Sequence, residues 1–246
     1  MKLIVGLGNP GAEYERNRHN VGFMALERIY DDFGTSPWKR KFQAQTSDAK
    51  LAGERALLIK PQTYMNESGR SVGEAARFLK VPPEDVIVIY DEIDLAPGKL
   101  KTKTGGGNAG HNGLRSISAH IGNDYVRVRI GVGHPGDKSK VASYVLKNFA
   151  KAEHVWLDPL IVEISRAAPR LMANDQSRFL TDVVTALAPP KPQKQKPKPE
   201  TNDGGEKTNQ SPKAADNKQS EQPQAASGTA LAENLKAWLK GGSDKT

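Results

Sequence analysis

The chain has 246 residues, 36 Lys plus Arg against 28 Asp plus Glu for a net charge of +8, and no cysteine. That length is enough for one medium domain with a real core plus extra material, and the absence of cysteine excludes disulfides and thiolate metal sites. No stretch approaches the roughly 20 apolar residues of a membrane-spanning helix and glycines break the first apolar run, so a soluble cytoplasmic protein with no membrane partner and no signal peptide is expected.

Leu3 to Leu7 read as a short buried strand, closed by a Gly-Asn-Pro-Gly turn in which Pro10 fixes its own φ and removes a donor. Val21, Met24, Ala25, Ile29 and Phe33 keep helical spacing, with Gly34 as a stop. Residues 42–50 and Arg55–Lys60 predict two strands, Lys60 to Asn66 a connection, and Ser68–Lys80 a second helix. Val86-Ile-Val-Ile-Tyr90 is a continuous apolar run of the kind found in a central strand covered on both faces, and it ends in Asp91. Lys99–Thr104 predicts a further strand, Gly105–Gly113 a long glycine loop, and Leu114, Ile117 and Ile121 a short helix closing at Gly122. Through Tyr125–Gly133, the valines and Ile130 face one way while Arg127 and Arg129 face the other.

Residues 139–187 read as helical, with breaks or kinks expected at Pro159 and Pro169. Strands alternating with helices imply an α/β fold, a single domain over 1–188 whose twisted, mostly parallel mixed sheet is flanked by helices. From Pro189 to about residue 230, Pro, Lys, Gln, Asn, Ser and Ala dominate, a composition that cannot offset its ordering entropy and predicts a disordered linker. Leu231, Leu235, Trp238 and Leu239 then share one helical face, predicting a short amphipathic helix and tail over 231–246.

Gly6-x-Gly8-x-x-Gly11 matches the dinucleotide-binding fingerprint literally but fits it badly. Pro10 interrupts the turn, Glu13 and Glu15 follow where a diphosphate wants amides, and no second strand ends in an acid about 20 residues on. His19 lies between this turn and a helix start, and Asp91 lies where the central strand ends, the position at which open α/β sheets place ligands. Asn66 and Asn112 sit in irregular connections, where functional side chains are often carried. A His–Asp pair among amides suits water activation, with the carboxylate fixing the imidazole tautomer. A metal site from His19, Asp91 and His111 is an alternative that no ligand spacing supports, so neither metal nor cofactor is expected. Lys99, Lys101, Lys103, Arg115, Arg127 and Arg129 adjoin the glycine loop with only Asp124 to oppose them, which describes a phosphate-tracking patch.

Several stretches in order resemble one family. They are Gly6-Leu-Gly-Asn-Pro-Gly11, Arg18-His-Asn-Val-Gly22, Pro61-Gln-Thr-Tyr-Met-Asn-Glu-Ser-Gly69, Asp91-Glu-Ile-Asp-Leu95, Gly105–Leu114 and Arg129-Ile-Gly-Val-Gly-His-Pro-Gly136. Together they resemble bacterial peptidyl-tRNA hydrolase over residues 1 to about 187, with Asn108-Ala109 and Tyr64 as small departures. The resemblance implies an esterase that frees tRNA from peptidyl-tRNA. It makes His19 the general base, Asp91 its orienting partner, and Asn9 a group near the ester. It makes Asn66 and Asn112 the grip on the peptidyl backbone, water or oxyanion, with Tyr14, Tyr64 and Met65 at the cleft. Lys101, Lys103 and Arg129 would take tRNA phosphates. The expected partner is the peptidyl-tRNA substrate, and the expected state is a monomer. The rival reading is a non-catalytic RNA-binding module on the same scaffold.

Overall fold

The computed structural model describes residues 1–188. Seven strands run in chain order as β1 (Lys2–Gly6), β2 (Lys39–Lys41), β3 (Ala44–Leu51), β4 (Glu54–Pro61), β5 (Val86–Glu92), β6 (Leu100–Thr104) and β7 (Val126–Gly131). They form one sheet in the order β2-β3-β4-β1-β5-β7-β6. The centre, β4-β1-β5-β7, is parallel, and both edges are finished by antiparallel pairings. Six helices surround it: α1 (Val21–Phe33), α2 (Ser68–Leu79), α3 (Asn112–Ile121), α4 (Val141–Val145), α5 (His154–Met172) and α6 (Gln176–Leu187).

Alternation along the strands builds two cores. Ile4, Ile87, Ile89, Val128 and Ile130 pack with residues of α1, α5 and α6, while Leu3, Val5, Val86, Val88 and Tyr90 pack with α2 and α3. The central strands are therefore buried on both faces, as their unbroken apolar runs predict. Among the described residues no helix is long and apolar enough to cross a membrane.

Close approach of α1 to the sheet decides where the polar turn before it ends up. A Cβ on Gly22 would run into the carbonyl oxygen of Ile89 and the backbone of Leu7, and a Cβ on Gly6 would meet the Gly22 carbonyl. With hydrogen there instead, Phe23 donates its backbone N–H to Leu7 O at 3.1 Å and Leu7 donates to Ile89 O at 3.0 Å. The start of α1 is thus laid on the C-terminal ends of β1 and β5.

Two expectations need correction. The helix is not broken at Pro159 or Pro169, since α5 runs through both, and the chain turns only after it, where Asn174 takes φ 58°. Leu157, Leu160, Ile164, Ala168 and Leu171 are all buried along that helix. Burial worth about 1.5–3 kcal/mol for each large side chain outweighs roughly 3 kcal/mol per interior proline. Residues 139–153 hold only the short α4 between single 3-10 turns rather than a long helix. The disordered linker expected at 189–230 and the amphipathic helix expected at 231–246 lie outside the described residues.

Candidate active site

His19 sits in a 3-10 turn, Arg18–Asn20, held in place by its neighbours in sequence. Arg18 is buried, donates to the carbonyls of Lys147 and Asn148, pairs with Glu153 at 2.6 Å, and lies 4.5 Å from the ring centre of Tyr144. Asn20 is also buried and clasps the glycine turn, accepting from the Asn9 backbone N–H and donating to the Asn9 carbonyl, both at 2.9 Å. Between these two anchors the His19 side chain points to the end of β5.

There its Nδ1 lies 2.9 and 3.0 Å from the two carboxylate oxygens of Asp91. Asp91 has a second imidazole partner, for His111 Nε2 lies 3.0 Å from Oδ1. His111 caps α3, and its Nδ1 accepts from the backbone N–H groups of Gly113 and Leu114 at 3.1 and 3.3 Å. With Nδ1 an acceptor, the ring proton belongs on Nε2, where it is donated to Asp91. His111 therefore ties the N-terminus of α3 to the same carboxylate that holds His19.

Burial penalises the Asp91 charge, but the two imidazoles and their hydrogen bonds outweigh it and hold the carboxyl well below the usual carboxylate range. Burial likewise opposes protonation of His19, and the Asp91 charge and hydrogen bond overcome it, raising the pKa above its ordinary value. Asp91 is thus a fixed anion, and His19 is a strengthened base whose Nε2 has no hydrogen-bond partner among the described residues.

A cavity of about 520 Å³ opens beside the pair, lined by His19, Asp91, His111 and Asn112 and, across from them in sequence, His134, Lys138 and Val141. Sequence patterns give none of the last three a role, although His134 falls within the Arg129–Gly136 stretch that carries the resemblance. Asn112 is exposed, and its Oδ1 accepts from Arg115 at 3.0 Å, leaving its amide nitrogen as the available donor. Asn9 lines a second hollow of about 320 Å³ with Asn20, Lys60 and Gln62, and the Asn20 clasp joins it to the turn bearing His19. Asn9 Oδ1 accepts from the Met65 backbone N–H at 2.8 Å, so it ties the 62–66 connection to the glycine turn. Met65 is buried, and a Cβ on Gly113 would lie 2.6 Å from its sulfur. The connection carrying Asn66 therefore abuts the start of α3, and Asn66 itself is exposed. Tyr14 is half-buried and Tyr64 exposed, and neither lines the two hollows.

The basic patch divides. Lys101 and Lys103 are exposed on β6 and stand opposite Arg129 and Arg127 on β7. Arg129 is not a free cation, because its guanidinium is 3.0 Å from Glu92, whose side chain is 4% exposed. Arg127 is buried and holds the glycine loop through the Gly107 carbonyl and the Asn108 and Asn123 side chains.

His19, Asp91 and His111 also form a cluster whose ligand-type atoms lie within 4.8 Å of one another, so by donor type they could hold a metal ion. Direct N–H···O hydrogen bonds already account for their spacing.

A model of the Peptidyl-tRNA hydrolase family matches residues 3–192. The chain is 61% identical over 191 residues to a peptidyl-tRNA hydrolase of Ruegeria sp. (strain TM1040), an alignment covering 78% of this chain and 77% of that one. It is 56% identical over 215 residues to a peptidyl-tRNA hydrolase of Dinoroseobacter shibae, covering 87% and 91%. Among solved structures, the peptidyl-tRNA hydrolase of Acinetobacter baumannii at 1.00 Å resolution is 38% identical, with a TM-score of 0.71 over 74% of this chain and 94% of that one.

Proposed function

The chain belongs to the peptidyl-tRNA hydrolase family, and we propose that it hydrolyses the ester between a peptide's C-terminal carbonyl and the ribose of tRNA, with His19 as general base. The observation that carries the mechanism is the 2.9 Å contact from His19 Nδ1 to Asp91, which leaves Nε2 to act on water. Asp91 keeps the proton on Nδ1 and stabilises the imidazolium as it forms.

In the first step Nε2 takes a proton from a water molecule while its oxygen bonds to the ester carbon and the carbonyl oxygen becomes an oxyanion. The amide nitrogens of Asn112 and Asn66 are the donors suited to that oxygen, aided by the positive end of α3. The intermediate then collapses, the ribose oxygen leaves, and it recovers the proton from Nε2. A positioned base supplies typically 10²–10⁴-fold, roughly, and oxyanion donors a similar factor, which is ample for an activated ester.

Asn9 acts by holding the 62–66 connection in register, and Met65 within it packs against the start of α3, while Tyr14 and Tyr64 lie outside both hollows and reach the peptide only beyond them. Lys101 and Lys103 take tRNA phosphates, while Arg129 is a partner of Glu92 first. Because peptidyl-tRNA arises in translation, the cytoplasm is the expected place of action. The direct test is release of labelled N-acetyl-amino acid from tRNA by the intact chain; a chain that binds tRNA but releases nothing would leave only the binding-module reading.

A further inference from the structure

The sheet ends at β2 in Lys39-Arg40-Lys41, three consecutive cations that are all exposed. None forms an ion pair with any described residue, whereas Lys2, Lys60 and Arg129 on other strands pair with Asp85, Glu27 and Glu92. Exposed edge strands commonly carry charge to prevent pairing with another sheet. That role needs charge alone, and here the strand has further organisation.

The β2–β3 connection is the two-residue turn Phe42-Gln43, with φ of 55° and 52°. Such a turn suits Asn-Gly, and an aromatic residue at positive φ carries strain. It is retained because Phe42 is buried in the second core and Gln43 is bonded twice, its carbonyl to Gln62 N at 2.8 Å and its amide to Glu74 at 2.9 Å. Glu74 thus meets the turn through the Gln43 amide and, among the described residues, forms no ion pair with the three cations. Lys41 Nζ lies 4.6 Å from the ring centres of both Phe42 and Phe78, which holds its ammonium in place with its donors open to solvent. Phe78 itself is 66% exposed, a large aromatic face beside the held Lys41 ammonium.

Unpaired cations in a row with an adjoining exposed ring are the elements of a surface that tracks a phosphate backbone and stacks an unpaired base. We propose that the β2 edge, Lys39, Arg40 and Lys41 with Phe78, is a second RNA-binding surface. It is separate from the β6 edge, since the two strands are the opposite margins of the sheet. Six strand spacings, about 29 Å, divide them, so no phosphate is shared between the two edges. Its occupant is single-stranded or frayed RNA, and hydrolysis does not require it.

The test uses the full chain and a short uridine oligomer that carries no ester, so its outcome is independent of whether the chain hydrolyses peptidyl-tRNA. Affinity is measured by fluorescence anisotropy across a salt series from about 50 to 300 mM. Lys39→Ala/Arg40→Ala/Lys41→Ala should flatten the slope of log K against log salt by about 2, at about 0.7 per phosphate contact. Phe78→Ala should weaken binding about tenfold while leaving the slope unchanged. Should the triple variant fold poorly, Lys39→Ala and Arg40→Ala singly should each flatten the slope by about 0.7. An unchanged slope in these variants overturns the proposal. So does tighter binding, with the same dependence on Lys39–Lys41, to phosphatidylserine vesicles or polyglutamate, which would make the edge a site for another polyanion.

Discussion

His111 Nε2 and His19 Nδ1 meet at one carboxylate, 3.0 and 2.9 Å from Asp91 Oδ1. The base and the helix bearing Asn112 are therefore positioned by the same atom. A displacement of α3 would move its N-terminal end and Asn112 away from the orienting anion on β5, and the His111 contact to Asp91 resists it.

His111→Ala removes both a helix cap and a donor to Asp91. The cap alone is worth about 1 kcal/mol, a loss of roughly 2–4 °C in Tm for a domain of this size. His111→Asn restores a capping oxygen but does not reproduce the imidazole's reach to Asp91, so Tm should recover while kcat stays low. Thermal melts alongside steady-state kinetics check this, and recovery of both together would show that capping was the whole role.

The pH profile follows from two opposed shifts. His19 has a raised pKa because Asp91 outweighs the effect of burial, so its contribution to stability is complete below the ordinary 6.5 and is lost as pH rises through the folded value. The neutral form is the base, so kcat/KM should climb with pH along a limb centred above 6.5. Asp91 behaves inversely. Its depressed pKa gives stability above the unfolded value of about 3.9, lost as pH falls through the folded value. Asp91→Asn should lower kcat and move the kcat/KM limb toward more acid pH, since burial then acts on His19 without the anion. A limb that stays in place would show that Asp91 does not set the basicity of His19.

Gly22→Ala tests how α1 carries His19 to the strand ends. The added methyl meets backbone atoms of Ile89 and Leu7, which cannot rotate away. Overpacking of this kind costs about 1–3 kcal/mol or more, and activity should fall further than stability as the turn bearing His19 is displaced. Urea unfolding and hydrolysis measured on the same preparation separate the two effects.

The cations of β6 and β7 should differ in kind. Lys101→Ala/Lys103→Ala should leave Tm nearly unchanged, weaken tRNA binding, and flatten its salt dependence by about 1–2. Arg129→Ala should instead destabilise the fold by about 3 kcal/mol, because Glu92 is left buried without its partner. A stable Arg129→Ala that loses only tRNA affinity would mean the guanidinium serves phosphate more than Glu92.

Sequence patterns carried far for local structure and less far for polar partners. The runs 3–7 and 86–90 mark central strands because an all-apolar strand has one home, inside a covered sheet. The same reasoning puts Asp91 at a strand end and His19 before a helix, and their pairing across 72 residues agrees with the chemistry expected of them. From sequence, His111 joins His19 and Asp91 only as a metal-site alternative; its capping role has no local signal because histidine is not a favoured capping residue. Strand β2 escaped because Lys39-Arg40-Lys41 has no apolar alternation; it pairs through its backbone alone. The Arg129–Glu92 pair spans 37 residues and turns a cation of the expected patch inward, an outcome only the register of β5 and β7 reveals. In α5, packing of one face outweighs two prolines that locally argue against a helix.

The central claim is that His19 takes the proton from water. Single-turnover release of labelled N-acetyl-amino acid from tRNA, comparing the intact chain with His19→Ala, tests it most directly. The account predicts a fall of roughly 10²–10⁴-fold in the hydrolysis rate, with tRNA affinity retained and activity partly restored by added imidazole. Hydrolysis by His19→Ala at the intact rate would contradict it.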